Sequence, residues 1–266
     1  MIIDDQHKFV FVHIPKCAGT TIRQALQQFD STHGRFAHAH GNLPGVGRID
    51  MGHIPLCRLK DYFPEEYKKV KQYFSVAVVR EPYTRFCSSL YQHLAMYGER
   101  PVKTLTRIHF KNALDNTIKY LDKNKNEACL NYNYIHFQRQ NSYVFDNGER
   151  LINRLYSTLS LDRMFEDISE QVGKKLKLIE NKHFGQAVVY KSSIARLGAT
   201  FLSPFYTPKV QIILPQQVKN QIKKAFYNRP KDKFDDILNA EIVYDFVSDY
   251  YAEDVELYQK IKFGVG

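Results

Sequence analysis

Lys8-Phe-Val-Phe-Val-His-Ile-Pro-Lys-Cys-Ala-Gly-Thr-Thr-Ile22 runs apolar without alternation and then stops at Pro15. The run from Phe9 to Ile14, rich in valine and phenylalanine, predicts a strand buried on both faces. Ile22 to Phe29 predicts a helix, and a short turn holding Lys16 and Gly19 lies between the two. A strand that feeds a tight turn and then a helix aims the helix's unpaired N–H groups, with their partial positive charge, over that turn. The turn is therefore a candidate anion seat. Lys16 adds a full charge, Gly19 permits close backbone approach, and the hydroxyls of Thr20 and Thr21 can donate to phosphate oxygens. The nucleotide-triphosphate loop has the form Gly-x-x-x-x-Gly-Lys-Ser/Thr; here Lys16 precedes Gly19, so this cradle is of another kind. The competing reading is a plain strand-to-helix connection with Thr20 or Thr21 as the helix cap.

Tyr73 to Val79 is a second continuous apolar run and predicts a second buried strand. It ends in Arg80-Glu-Pro-Tyr-Thr-Arg-Phe-Cys-Ser-Ser89, where Pro82 suits the first turn of a helix continuing through Leu90 and Tyr97. Arg80 and Ser88 are a little over two helical turns apart, so both can face one anion. The competing reading pairs Arg80 structurally with Glu81 or another carboxylate. Two strand-then-helix units predict an α/β fold with a mainly parallel central sheet, helices on both faces, and a ligand at the strands' carboxyl ends.

The chain has 266 residues, 44% of them hydrophobic, enough for one large domain with a sizeable core. Lys plus Arg number 38 against 28 Asp plus Glu, and the resulting charge of +10 favours anionic partners without choosing among nucleotide, nucleic acid and acidic polysaccharide. Cys17, Cys57, Cys87 and Cys129 are widely spaced with no C-x-x-C pair, which argues against a zinc knuckle or redox motif and for reduced thiols in a cytosolic protein. The start of the chain has no signal-peptide pattern, and no apolar run is long enough to span a membrane.

Ser31 to Gly52 predicts loop with a short strand at most, and His33, His38 and His40 within it read as solvated. His53, in Met51-Gly-His-Ile-Pro-Leu56, is a candidate general base, since imidazoles titrate near neutrality and a hydroxyl attacks well only as its proton leaves. A core or capping role is the alternative. Pro101 to Lys125 predicts a basic helix with Ile108, Leu114, Ile118 and Leu121 on its inner face. Asn131 to Tyr143 is dense in aromatics and amides, suited either to sugar contact or to core packing. A strand near Tyr156–Leu161, a helix over Asp162–Gly173, and helices over Leu214–Phe226 and Asp235–Phe263 complete the pattern.

His13-Ile-Pro-Lys-Cys-Ala-Gly-Thr-Thr21 resembles the 5′-phosphosulfate loop of the sulfotransferases that use 3′-phosphoadenosine 5′-phosphosulfate (PAPS), especially the carbohydrate branch that includes the heparan sulfate 2-O- and 6-O-sulfotransferases. Arg80, Pro82, Arg85 and Ser88 are similar to that family's 3′-phosphate motif. The resemblance implies a single sulfotransferase domain over residues 1–266 with a P-loop-like fold, PAPS as donor and 3′-phosphoadenosine 5′-phosphate (PAP) as product. It implies that Lys16, Cys17, Ala18, Gly19, Thr20 and Thr21 surround the 5′-phosphate, Lys16 acting also on the sulfuryl group, and that Arg80 and Ser88 hold the 3′-phosphate. The segment around His53 resembles the family's Gly-His segment, which makes His53 the base. The stretch from Asn131 to Tyr143 resembles an acceptor-side segment, giving acceptor roles to His136 and Gln140. Val188 to Ser193 stands where the family has a mobile loop over the nucleotide, giving Lys191 and Ser192 as ligands.

The closing Tyr250-Tyr-Ala-Glu-Asp254 resembles the family's last helix, for which packing without chemistry is expected. The implied acceptor is a hydroxyl of a glycan or glycolipid, with no metal and no nucleic-acid partner. Eukaryotic Golgi relatives carry a membrane anchor, so the expectation here is a bacterial-type soluble, cytoplasmic member. Three other classes stay open: a nucleotide kinase with an atypical phosphate loop, a nucleic-acid-binding protein, and a PAPS-binding protein without catalysis.

Overall fold

Continuous burial explains the central sheet. Strand β1 (Ile2–Asp4) and strand β2 (Phe9–Val12) are buried at every position, so both faces of β2 are covered and no polar alternation is possible. The computed structural model describes residues 1–37, 40–177, 189–190, 227–228 and 230–264, with single positions at 192, 195, 197, 221 and 225. Among these, helix α1 (Gly19–Leu26) follows β2, and a hairpin of β3 (Gly41–Leu43) and β4 (Gly47–Ile49) comes next. Helices α2 (Leu56–Tyr62) and α3 (Pro64–Gln72) lead into β5 (Phe74–Val79), which is followed by α4 (Pro82–Tyr97) and α5 (Arg107–Lys123). A small ladder of β6 (Phe145–Asp146) and β7 (Glu149–Arg150) precedes β8 (Arg154–Ser157) and α6 (Leu161–Val172). Later come β9 (Val189–Tyr190), β10 (Tyr227–Asn228), α7 (Pro230–Leu238), α8 (Glu241–Tyr250) and α9 (Ala252–Lys262).

The sheet runs β1-β2-β5-β8. β2 pairs parallel with β5 in the register Val12↔Ala77, and β5 pairs parallel with β8 in the register Val79↔Ser157. The fold is therefore mixed α/β with a mostly parallel central sheet. Only β1, which pairs antiparallel with β2, departs from it. Because β2 and β5 are parallel neighbours, the turns after Val12 and after Val79 leave from the same edge of the sheet. Phe9, Phe11, Val76 and Val78 are at most 1% exposed, and complete burial of each such side chain contributes about 1.5–3 kcal/mol.

The chain divides into two compact units, one of Met1–Ser89, Asp122–Lys182 and Asp245–Gly266, the other of Leu90–Leu121 and His183–Tyr244. The first holds the sheet and the main core. In the second, α5 buries Phe110, Leu114, Thr117 and Leu121, while Ile108 is 72% exposed. The inner face is thus rotated from the one predicted. Phe110 decides it, stacking on Phe234 of α7 at 4.2 Å between ring centroids; Arg107 pairs with Asp236 on the same two helices.

Several boundaries shift. The first helix begins three residues before Ile22, and the expected helix from Asp235 to Phe263 is divided among α7, α8 and α9. The expected helix over Leu214–Phe226 lies outside the described residues apart from positions 221 and 225. Among the described residues, no helix is long and apolar enough to cross a membrane.

Candidate active site

The turn between β2 and α1 is built from strained backbone. Lys16 and Ala18 both hold left-handed conformations, at φ of 64° and 63°, on either side of Cys17. A residue with a Cβ in this region costs of order 1–3 kcal/mol and persists where the surroundings enforce it. Alternating backbone handedness turns successive N–H groups inward into an anion-binding nest. Ala18 is the helix cap, and no side chain caps the start of α1. Thr20 and Thr21 already lie within the helix, which removes the capping role considered for them. The Lys16 ammonium is held below its ordinary value, first by burial and then by the neighbouring charge of Arg80. An anion placed between the two cations would relieve that strain.

Gly19 also has a packing task, beside the close backbone approach expected of it. A Cβ there would stand 1.8 Å from Cδ2 and Nε2 of His13, so the missing side chain makes room for an imidazole. His13 is buried, and burial, followed by the charge of His53, holds it well below the ordinary imidazole value of 6.5.

The second turn is joined to the first. Arg80 donates from Nη1 to the carbonyl of Lys16 at 3.3 Å and from Nε to Oγ1 of Thr84 at 3.2 Å. Glu81 does not pair with Arg80 in any ion pair among the described residues. Its carboxylate instead caps α4, accepting from the N–H groups of Tyr83 and Thr84, each at 2.8 Å. Ser88 is half-buried on α4. Arg85 faces inward: it is fully buried, donates to the carbonyl of His136 at 3.2 Å, and pairs with Asp254 at 3.5 Å.

Gln140 was expected to touch an acceptor, and its position corrects that expectation. It is 0% exposed, and its amide is spent on backbone: Oε1 accepts from Arg80 N at 2.9 Å while Nε2 donates to Arg80 O at 3.0 Å. The same Oε1 accepts from the Cys17 thiol at 3.3 Å. Gln140 thus ties the two turns together. Asp254 in turn accepts from the N–H groups of Gln140 and Asn141, at 2.8 and 2.9 Å. The closing helix α9 therefore contributes a buried carboxylate that organises the second turn, beyond the packing expected of it.

Three imidazoles gather beside these turns. The ring of His53 lies 4.4 Å from that of His13 and 5.1 Å from that of His136 between centroids. Asp50, three residues before His53, accepts from Gly52 N with one oxygen and from His53 Nδ1 with the other, each at 2.8 Å. Burial alone would raise the Asp50 carboxyl, but the His53 hydrogen bond and the nearby histidine charges hold it below its ordinary value. An ionised carboxylate only accepts, so the contact makes Nδ1 of His53 the donor and leaves Nε2 as the nitrogen facing away from Asp50. Tyr143 fixes the backbone by donating to His53 O at 3.0 Å.

Asp50, His53 and His136 bring ligand atoms within 4.8 Å of one another, a donor set that suits a divalent transition metal. Sequence reasoning missed Asp50, although its i, i+3 spacing to His53 was visible. It also missed the cavity of about 630 Å³ beside α1, lined in part by Thr20, Arg23, Gln24, Gln27, Asp30 and His33. Arg23 Nη1 is 3.7 Å from where a Cβ on Gly52 would stand, so this cavity borders the segment of His53.

Lys16 through Thr21, Arg80, Ser88, His53 and His136 all belong to the first unit. Ser192, in the second, is exposed and its hydroxyl accepts from Ala195 N at 3.1 Å. Lys191 and His38 lie outside the described residues.

The fold is a mainly parallel α/β sheet, and beside it lie two adjoining cations and an imidazole hydrogen-bonded to a carboxylate. The chain matches the model of the sulfotransferase family over residues 1–260. No curated protein and no solved structure matches it. The chain belongs to the sulfotransferase family, and its general chemistry is sulfuryl transfer to an acceptor.

Proposed function

We propose that this chain moves a sulfuryl group from PAPS to a hydroxyl of a glycan or glycolipid, releasing PAP, in one sulfotransferase domain spanning both compact units. The observation that carries the reading is the convergence of Lys16, Arg80 and the uncapped start of α1, with His53 one imidazole ring away from Gly19.

The strand-turn-helix around Lys16 serves as a P-loop-like cradle for the 5′-phosphate, with the backbone from Cys17 to Thr21 donating to it. Arg80 and Ser88 hold the 3′-phosphate. Since Glu81 already neutralises the start of α4, that grip comes from side chains. His53 accepts the acceptor's proton at Nε2, and Asp50 supports the imidazolium that forms. Lys16 and the helix N–H groups stabilise charge on the leaving phosphate oxygen, so positioning and charge neutralisation do most of the work. The cavity beside α1, lined by amides, a guanidinium, a carboxylate and one hydroxyl, suits a polyhydroxylated acceptor. His136 closes the site beside His53. This scheme requires no metal, since Lys16 and the start of α1 supply the positive field.

The test pairs calorimetry with transfer of labelled sulfate from PAPS to a panel of glycans. His53→Ala is expected to lower transfer by about 10²–10⁴-fold while PAP still binds, and Arg80→Ala to weaken PAP binding. Full activity in His53→Ala would overturn the assignment of the base. Salt-dependent binding to DNA that PAP leaves unchanged would favour a nucleic-acid-binding protein instead.

A further inference from the structure

The sequence spacing separates Cys57 and Cys129 by 72 residues, yet their sulfurs stand 2.7 Å apart. Both are half-buried, so the pair is packed in place and still reachable from solvent. Cys57 sits on α2, which the buried Leu56 and Leu59 anchor to the core. Cys129 is held from both sides by one amide: Gln138 Nε2 donates to Ala128 O at 3.0 Å, and Gln138 Oε1 accepts from Leu130 N at 2.7 Å.

We propose that Cys57 and Cys129 form a thiol–disulfide site, a dithiol that a low-molecular-weight disulfide oxidises to an intrachain cross-link. This stands apart from the reading of the site as a PAPS site and needs no acceptor to be identified.

The two sulfurs have distinct roles. Cys57 stands in the first turn of α2, and the hydrogen bond shared by the two sulfurs holds its thiol below the ordinary value while that bond and burial push Cys129 above it, so Cys57 is the attacking thiolate. It attacks one sulfur of the small disulfide, forming a mixed disulfide and releasing one thiolate, which takes up a proton. Cys129 then loses its proton, attacks the Cys57 sulfur and expels the second small thiolate. Two protein thiols are oxidised and one small disulfide is reduced to two thiols. By contrast Cys17 is fully buried, and burial pushes it up to about 12, so it stays out of this chemistry. The product ties the segment carrying His53 to the segment carrying His136.

The experiment incubates the full chain with oxidised glutathione, unfolds it in denaturant, alkylates the remaining thiols and reads intact mass and peptide maps. The expected result is two alkylated thiols of the four, a peptide pair joining Cys57 to Cys129, and a melting temperature higher by about 5–10 °C that returns on reduction. Cys129→Ser is expected to retain one glutathione on Cys57, and Cys57→Ser to form no cross-link. Four alkylated thiols after oxidation, a cross-link between another pair, or glutathione persisting on Cys57 of the unmodified sequence would overturn the proposal. Should Cys57→Ser fail to fold, the peptide map of the unmodified chain and the Cys129→Ser adduct decide the question alone.

Discussion

The two turns that leave the carboxyl edge of the sheet look alike in sequence and differ in construction. Both follow a buried parallel strand and both open a helix. The first leaves the start of α1 without a side-chain cap and bends Lys16 and Ala18 into left-handed backbone. The second closes the start of α4 with Glu81 and immobilises the backbone of Arg80 through Gln140. One turn concentrates backbone donors for an anion, whereas the other delivers a single guanidinium towards the first from a firmly braced base. Strand-turn-helix is therefore a frame on which positive potential can be assembled in two ways.

Removing the brace under the second turn should have the largest effect. Asp254→Ala leaves Arg85 buried without its carboxylate and two N–H groups without an acceptor, and should cost about 3–5 kcal/mol in denaturant unfolding. A loss below about 1 kcal/mol would mean that α9 merely packs. Lys16→Ala tests the first turn. Transfer should fall by about 10²–10³-fold with little change in melting temperature, as for loss of one charge-stabilising donor. An equal loss of stability would erase the contrast between an anion seat and a braced support.

Gly19→Ala sharpens the comparison at the level of packing. The added methyl meets the His13 ring and should destabilise the fold by about 1–3 kcal/mol. Adding His13→Ala should return part of that loss, and simple additivity in the double mutant would show that the two positions do not compete for space. Glu81→Ala should have the smallest effect, about 1 kcal/mol from loss of the cap on α4. PAP affinity, measured by calorimetry, should not weaken, because the cap competes for the helix start without helping to bind an anion there.

The parallel sheet and both turns were legible because continuous apolar runs ending in Pro and Gly have few other foldings. β1 was not, since three residues carry too little pattern to declare a strand. The inner face of α5 was misread because Ile108 and Phe110 are both apolar, and only the partner ring of Phe234 selects between them. The position of His53 was readable from its setting, whereas Asp50 was passed over because one carboxylate has no periodicity to announce it. Gln140 was assigned to the wrong surface: an amide among aromatics looks equally suited to a sugar hydroxyl and to a backbone peptide.

What the sequence alone determined is the local frame: two buried strands, their turns, a cation at each, and an imidazole between them, because burial pattern and turn chemistry act over a few residues. Tertiary folding alone decided which side chains face one another. Gln140 across Arg80, Asp254 beneath Arg85, His13 against Gly19 and Cys57 beside Cys129 join residues through space, and their partners depend on how the core packs.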